Sequence, residues 1–256
     1  MRVTLFGLPV DILSYDETVE RVLSAIAGGR RCQHVALNVA KLVNARTNAE
    51  LERDIRASDI VGIDGMGIVY ALRLFGHRVP HRVAGADLFE SLIAECAART
   101  LRPFLLGATP AVLAAAERKL LQRHPSLVLA GSHHGYFAPD EEAAVCARIR
   151  ASGAHCLFIA MPTPRKERFM HRHRDGLGVP FVMGVGGTFD VVAGQVRRAP
   201  ALLQRAGLEW AFRMMQEPRR LAARYLRTNL VFAGLLGRHL LAQFAAGTLK
   251  ASGKAE

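Results

Sequence analysis

The chain has 256 residues, 50% of them hydrophobic, enough to bury the core of one large α/β domain with or without a small appendage. Its formal net charge of +12 and pI near 10.4 point to anionic partners: nucleic acid, phosphate ligands or an anionic membrane surface. The four cysteines, Cys32, Cys96, Cys146 and Cys156, form no C-x-x-C pair and have no histidine at ligand spacing. That excludes a disulfide frame and a zinc site and suits the reduced thiols of a cytosolic protein. The first residues lack the apolar stretch and small-residue cleavage site of a signal peptide, and no apolar run reaches the ~18 residues of a spanning helix.

In chain order, 2–6 and 8–12 read as short strands around Gly7, a hairpin. Ser14 and Glu17 form a capping box, which predicts a helix to about Ile26 that stops at Gly28-Gly29. Strands are then expected at 34–38, 60–63, 103–106, 127–130, 156–160 and 181–185. Helices are expected between them, at 40–57 (one or two), 66–74, 87–100, 110–123, 141–152 and 166–174. This alternation predicts a mostly parallel sheet covered on both faces. Composition shifts near Arg197, and 201–216, 219–228 and 230–246 read as helices. From 197 to 256 there are eleven Lys/Arg and three Asp/Glu. The expected organisation is a catalytic α/β domain at 1–196 and a basic helical appendage at 197–256.

Ligands of open α/β sheets bind outside the carboxyl ends of the strands. The residues there are Asn38, Asp64-Gly65, Gly107, Gly135-Tyr136, Pro162-Thr163-Pro164 and Gly184-Val185-Gly186-Gly187-Thr188. Asp64 fits a general base at the mouth of an apolar-walled cleft, or the N-cap of the following helix. Arg82, before Gly85 and Asp87, fits a phosphate clamp or a surface arginine beside a cap. The glycine turn lacks the third glycine of a dinucleotide fingerprint, so a nicotinamide oxidoreductase is disfavoured. It still offers N–H donors for a diphosphate, or is a simple tight turn, with Asp190 as ligand contact or turn anchor. His133-His134, with His171 and His173, do not converge on one ion, and no Ser-His-Asp arrangement is present. Arg213, Arg220, Arg224 and Arg227 form one stripe if the helix continues past Pro218, suited to a phosphate at a membrane surface or to a solvated basic face. A basic nucleic-acid-binding protein is the rival class, disfavoured because aromatics are only 7% of the chain.

These residues, in this order, resemble the WecG/TagA/CpsF glycosyltransferases (glycosyltransferase family 26) over about 8–236. The marks are Asn38, Asp64-Gly65, Arg82 to Asp87, Gly135-Tyr136-Phe137, Pro164-Arg165-Lys166-Glu167, the turn from Gly184 with Arg198-Ala199-Pro200, Gly207 to Trp210, Arg213, and Glu217 to Arg220 with Arg224-Tyr225. The resemblance implies a Rossmann-like, GT-E-like fold. It implies inverting transfer of a sugar, without metal or cofactor, from a UDP-sugar to a polyprenyl-diphosphate-linked sugar at the inner face of the cell membrane. Asp64 would be the base. Asn38, Gly65, Arg82, Gly85, Gly107, Gly135, Tyr136, Lys166, Glu167, Gly186, Gly187 and Asp190 would surround the donor, and Arg213, Arg220 and Arg224 the acceptor diphosphate. Ala36 stands where many members have Thr, and Lys166 where many have Gln. With the exopolysaccharide-type motifs, this makes UDP-glucose the first expectation and UDP-N-acetylmannosamine or its uronate the alternative. No nucleic-acid partner is expected, and homo-oligomer formation is open.

Overall fold

The computed structural model describes residues 1–205 and 207–245; the side chains at 201, 205, 220 and 243–245 lie outside that description. The chain opens with β1 (Arg2–Leu5) and β2 (Leu8–Asp11), an antiparallel pair in which Arg2 faces Asp11. Phe6 and Gly7 both take left-handed backbone, φ 46° and 89°, which closes this two-residue turn. Asp11 does more than pair with Arg2. Its Oδ2 accepts the N–H of Val61 at 2.8 Å, so the hairpin covers the edge of the main sheet. The capping box forms as expected: Glu17 N–H donates to Ser14 Oγ at 3.1 Å and Ser14 N–H to Glu17 Oε2 at 2.6 Å. It starts α1 (Tyr15–Ala27), which ends at Gly28.

The alternating region is β3 (Cys32–Leu37), α2 (Val39–Ala45), α3 (Ala49–Arg56), β4 (Ile60–Ile63), α4 (Met66–Leu74) and α5 (Gly85–Ala98). It continues through β5 (Pro103–Gly107), α6 (Pro110–Arg123), β6 (Gly131–His133), α7 (Glu142–Ala151), β7 (Cys156–Ala160), α8 (Arg165–Arg172), β8 (Phe181–Gly184) and α9 (Thr188–Val192). Strands β3 to β8 form a parallel sheet in the order β4-β3-β8-β7-β5-β6, a Rossmann-like arrangement. Successive side chains alternate between faces. Val35, Leu37, Val61, Ile63, Leu157 and Ile159 join a core with α2, α3, α4, α7 and α8. Cys32, Ile60, Cys156, Phe158, Phe181 and Met183 join the opposite core with α1, α5, α6 and α9. All four cysteines are free and buried; Cys96 and Cys156 lie 3.8 Å apart, sulfur to sulfur.

Two expectations change. The strand expected at 127–130 is β6 at Gly131–His133. The N–H of Leu127 closes a turn onto His124 O and Ala130 N–H reaches Pro103 O, so the apolar run only approaches the sheet. The ladder is then made by Gly131, Ser132 and His133, which an edge strand tolerates. The C-terminal helices also regroup, as α10 (Ala201–Arg205), α11 (Glu209–Gln216) and α12 (Pro218–Ala245). Gly207, at φ +73°, separates the first two. Glu217 (φ −133°, ψ 59°) precedes the proline and leaves helical backbone, as the residue before proline tends to. The basic stripe therefore does not run on: Arg213 belongs to α11, and Arg220, Arg224 and Arg227 to α12.

Helix α12 packs on the α/β layer. Leu221, Thr228 and Phe232 are buried along one face, and Leu235 and Leu236 press on the same core. Phe232 meets the Phe6 ring edge-on at 6.0 Å, and Phe6 meets Phe75 at 5.5 Å. Among the described large apolar side chains of α12, Leu226, Leu230, Val231 and Leu241 turn outward. Among the described residues no helix is long and apolar enough to cross a membrane. Removing the ring that ties α12 down, Phe232→Ala, is expected to lower unfolding free energy by about 3 kcal/mol, read as an earlier urea midpoint.

Candidate active site

Neighbouring strands β3 and β8 are followed by helices on opposite faces, α2 and α9, so a crevice opens at their carboxyl ends. Asp64 stands beside it, directly after β4. Its N–H continues the ladder to Leu37 O at 3.0 Å, which fixes its backbone to β3. Its side chain does not cap α4, whose N-cap is Gly65, without a side-chain bond. Instead Oδ1 accepts the N–H of Gly85 at 2.8 Å, at the start of α5. Burial pushes the Asp64 carboxyl above the usual carboxylate range. The Gly85 N–H and the charges of Lys41 and Arg82 pull it back, and Glu209 adds to the rise.

Opposite lies a buried charge cluster. Lys41 Nζ reaches Glu167 Oε1 at 2.8 Å and Ala36 O at 2.7 Å; Lys166 Nζ reaches Glu167 Oε1 at 3.1 Å and Thr163 Oγ1 at 2.6 Å. Glu167 Oε2 is buried and has no hydrogen-bond partner. Two ammonium groups around one carboxylate, all buried, shift Lys166 and Glu167 in the same direction, downward. Burial, then the Lys41 charge, pulls Lys166 down to about 8 although Glu167 opposes this. Burial resists ionisation of Glu167, but Lys41 and Lys166 outweigh it and hold the carboxyl at about 2. Asn38 caps α2, accepting Lys41 N–H at 3.0 Å, and so aims the lysine into this cluster.

The third side is the glycine turn. Gly186 takes φ +57°, and Gly187 begins α9. The Arg213 guanidinium lies over Gly187 so closely that a Cβ there would sit 2.3 Å from Nη2 and 3.5 Å from Asp190 Oδ2. Arg213 is therefore at the glycine turn, away from the exposed Arg224, which stacks over Tyr225 at 5.3 Å. Arg220 lies on α12, with its side chain outside the described atoms. Arg82 Nη2 meets Glu209 Oε2 at 2.6 Å, and Arg198 Nη1 meets Asp87 Oδ1 at 2.5 Å. Helix α11 thus touches the Arg82 loop through Glu209 and the glycine turn through Arg213, one helical turn apart. Gln216 exchanges two hydrogen bonds with the Arg197 backbone, at 3.0 and 2.9 Å, and fixes its far end.

The structure therefore brings Asn38, Asp64, Gly65, Arg82, Gly85, Lys166, Glu167, Gly186, Gly187 and Asp190 to one group of strand ends. Gly107, Gly135 and Tyr136 form a separate group beyond β7. Gly107 is buried at φ +127°, and a Cβ there would lie 2.3 Å from Ala160 O, so the glycine serves strand packing. Gly135 donates to Ala108 O at 2.9 Å and accepts from Arg165 at 2.8 Å, while Tyr136 is exposed. Lys41, Thr163, Glu209 and Arg198 were not singled out as site residues. Lys41 was legible as the residue three after a helix-capping Asn; Glu209 and Arg198 lay inside the family marks. Among the described residues no group of three or more His, Cys, Asp or Glu is placed to hold a metal ion.

Fold and cleft together define an α/β protein with a crevice at the carboxyl ends of a parallel sheet, flanked by arginine, lysine and carboxylate side chains. The model of the glycosyl transferase WecG/TagA/CpsF family matches residues 3–245, nearly the whole chain, and the protein belongs to that family. It is a glycosyltransferase.

The buried cluster makes stability depend on pH in a defined sense. Lys166 binds its proton less tightly folded than unfolded, so its charge costs stability below about pH 8, and the cost fades as pH rises toward the ordinary 10.5. The stability of Lys166→Met relative to wild type is expected to fall as pH rises from 8 to 10.5, because only wild type sheds this cost there; paired urea titrations across that window check it.

Proposed function

We propose that this glycosyltransferase moves a hexose, glucose first, from a UDP-sugar to a polyprenyl-diphosphate-linked sugar, inverting the anomeric centre, in the synthesis of bacterial surface polysaccharide. The observation that carries the reading is Asp64: a desolvated carboxylate at the crevice, held through one oxygen by Gly85 N–H. That leaves Oδ2 for the acceptor hydroxyl, and a raised carboxyl is a better base near neutral pH. The acceptor oxygen bonds to the anomeric carbon as the bond from that carbon to the UDP oxygen breaks. The hydroxyl proton goes to Asp64, and the bonding pair leaves on UDP. Arg82, Arg213 and the N–H groups at Gly186-Gly187 would take the negative charge that develops on the diphosphate. Lys166 and the unpartnered Oε2 of Glu167 offer a donor and an acceptor to the donor sugar.

The acceptor's lipid tail supports a peripheral membrane position on the cytoplasmic side, with 197–256 as the associating segment. The outward leucines of α12 and its arginines suit such a surface. Within the family, glucose is favoured over N-acetylmannosamine by the ammonium of Lys166 and the short side chain of Ala36.

Asp64→Asn is expected to bind UDP like wild type and to lose about 10²- to 10⁴-fold in turnover with UDP-glucose and a lipid-linked acceptor. Because the Asp64 carboxyl is raised in the folded state, its ionised form costs stability at neutral pH. The variant should therefore unfold no earlier than wild type at pH 7. Near-wild-type turnover would remove Asp64 as the base.

A further inference from the structure

Glu209 stands between two arginines. Its Oε2 holds Arg82 Nη2 at 2.6 Å, and its Oε1 lies 3.9 Å from Arg198 Nε. Arg198 is anchored through Nη1 to Asp87 at 2.5 Å, yet its Nε and Nη2 are buried and have no hydrogen-bond partner. These two nitrogens form the side-on edge of a guanidinium, the geometry that takes a carboxylate with two parallel bonds. A shift of about 1 Å would bring Glu209 from 3.9 Å to hydrogen-bond distance of that edge. The carboxylate thus has one arginine in hand and a second, already positioned and desolvated, within reach.

Glu209 holds Arg82 through Nη2, so a diphosphate oxygen that takes this nitrogen must displace the carboxylate. We propose that Glu209 is a two-position carboxylate: it pairs with Arg82 as seen here, and a diphosphate that takes Arg82 transfers it to Arg198. Glu209 is then a positioning residue that ties diphosphate binding to the seating of α11. The helix that carries it also carries Arg213 to the glycine turn. Asp87 stays on Nη1 throughout, so Arg198 accepts the second carboxylate without giving up the first. The inference rests on the reading of Arg82 as a diphosphate ligand. The diphosphate of the nucleotide and that of the prenyl carrier share this chemistry.

Calorimetric titration of the full-length protein with UDP, and separately with farnesyl diphosphate, tests the exchange. Glu209→Gln is isosteric and removes the competing charge; it is expected to bind one of the two ligands about threefold to tenfold more tightly. Arg198→Met touches neither ligand, yet is expected to weaken the same ligand by a similar factor. That penalty should vanish in the Glu209→Gln, Arg198→Met double variant. Tightening with UDP assigns the exchange to the nucleotide; tightening with farnesyl diphosphate alone assigns it to the carrier. Glu209→Gln binding both ligands as wild type does or more weakly, or an Arg198→Met penalty that persists without the carboxylate, would overturn the proposal. Arg82→Met separates the two levels. If it binds both ligands as wild type does, the reading of Arg82 fails and the exchange with it. If it weakens one while Glu209→Gln changes nothing, only the exchange fails.

Discussion

Because β3 sends its chain to one face of the sheet and neighbouring β8 sends its chain to the other, the loops leaving these strands diverge, and the candidate site is organised around the gap between them. A parallel sheet covered on both faces has apolar strands through its whole depth. Charge can enter only at the strand ends, where backbone groups also run out of ladder partners. Asp64 shows the constraint at one residue: its N–H completes the sheet at Leu37, and its carboxylate is already in the cleft. One layer below, polar side chains must be neutral or sealed. His34 does the former: burial pulls its imidazole down to about 4, so it sits uncharged beside Gly62, where a Cβ would come within 2.6 Å of its ring.

The charges of the cleft form two linked sets, and their balance matters more than any pair. On one side Lys41 and Lys166 share the carboxylate of Glu167, which leaves a surplus positive charge close enough to Asp64 that Lys41 pulls the aspartate's carboxyl down and the aspartate pulls Lys166 up. That surplus offsets part of the desolvation cost of an ionised Asp64. On the other side Arg82, Glu209, Arg198 and Asp87 alternate in sign along the mouth. Half-buried ion pairs of this kind contribute little net stability once desolvation is counted. Their value lies in fixing where guanidinium groups point before a ligand arrives.

Much of this was legible in the residues. The capping box at Ser14 and Glu17, the helix 66–74 and the strand 156–160 follow from local rules, because each is decided by contacts a few residues apart. Asp64 stood out as a carboxylate at a strand's carboxyl end before a glycine, which suits either a general base or the cap of the next helix. Its partner was not legible: Gly85 is 21 positions away, and only the fold shows that Asp64 serves the start of α5 and not α4. The 127–130 run misled because hydrophobicity marks burial and not pairing; Leu127 is buried, but an edge ladder can be made by Gly, Ser and His. Glu209 lay among the family marks, between Gly207 and Trp210, with no role attached to it. Its significance depends on Arg82, 127 positions earlier, and no spacing rule reaches that far.

The basic tail, read as one stripe, turns out to be divided by a single backbone event. Proline at 218 removes an N–H and pushes Glu217 out of the helical region, so α11 and α12 are separate helices. Had the helix run on, Arg213 would share a side with Arg220 and Arg224, and a rigid rod could not lie across the crevice and along α2 at once. The break lets α11 lie over the crevice with Arg213 at Gly187, while α12 turns to bury Leu221 and Phe232 and presents Leu226 and Leu230 outward. Trp210 and Tyr225, edge-on at 6.0 Å, join the two helices across the break.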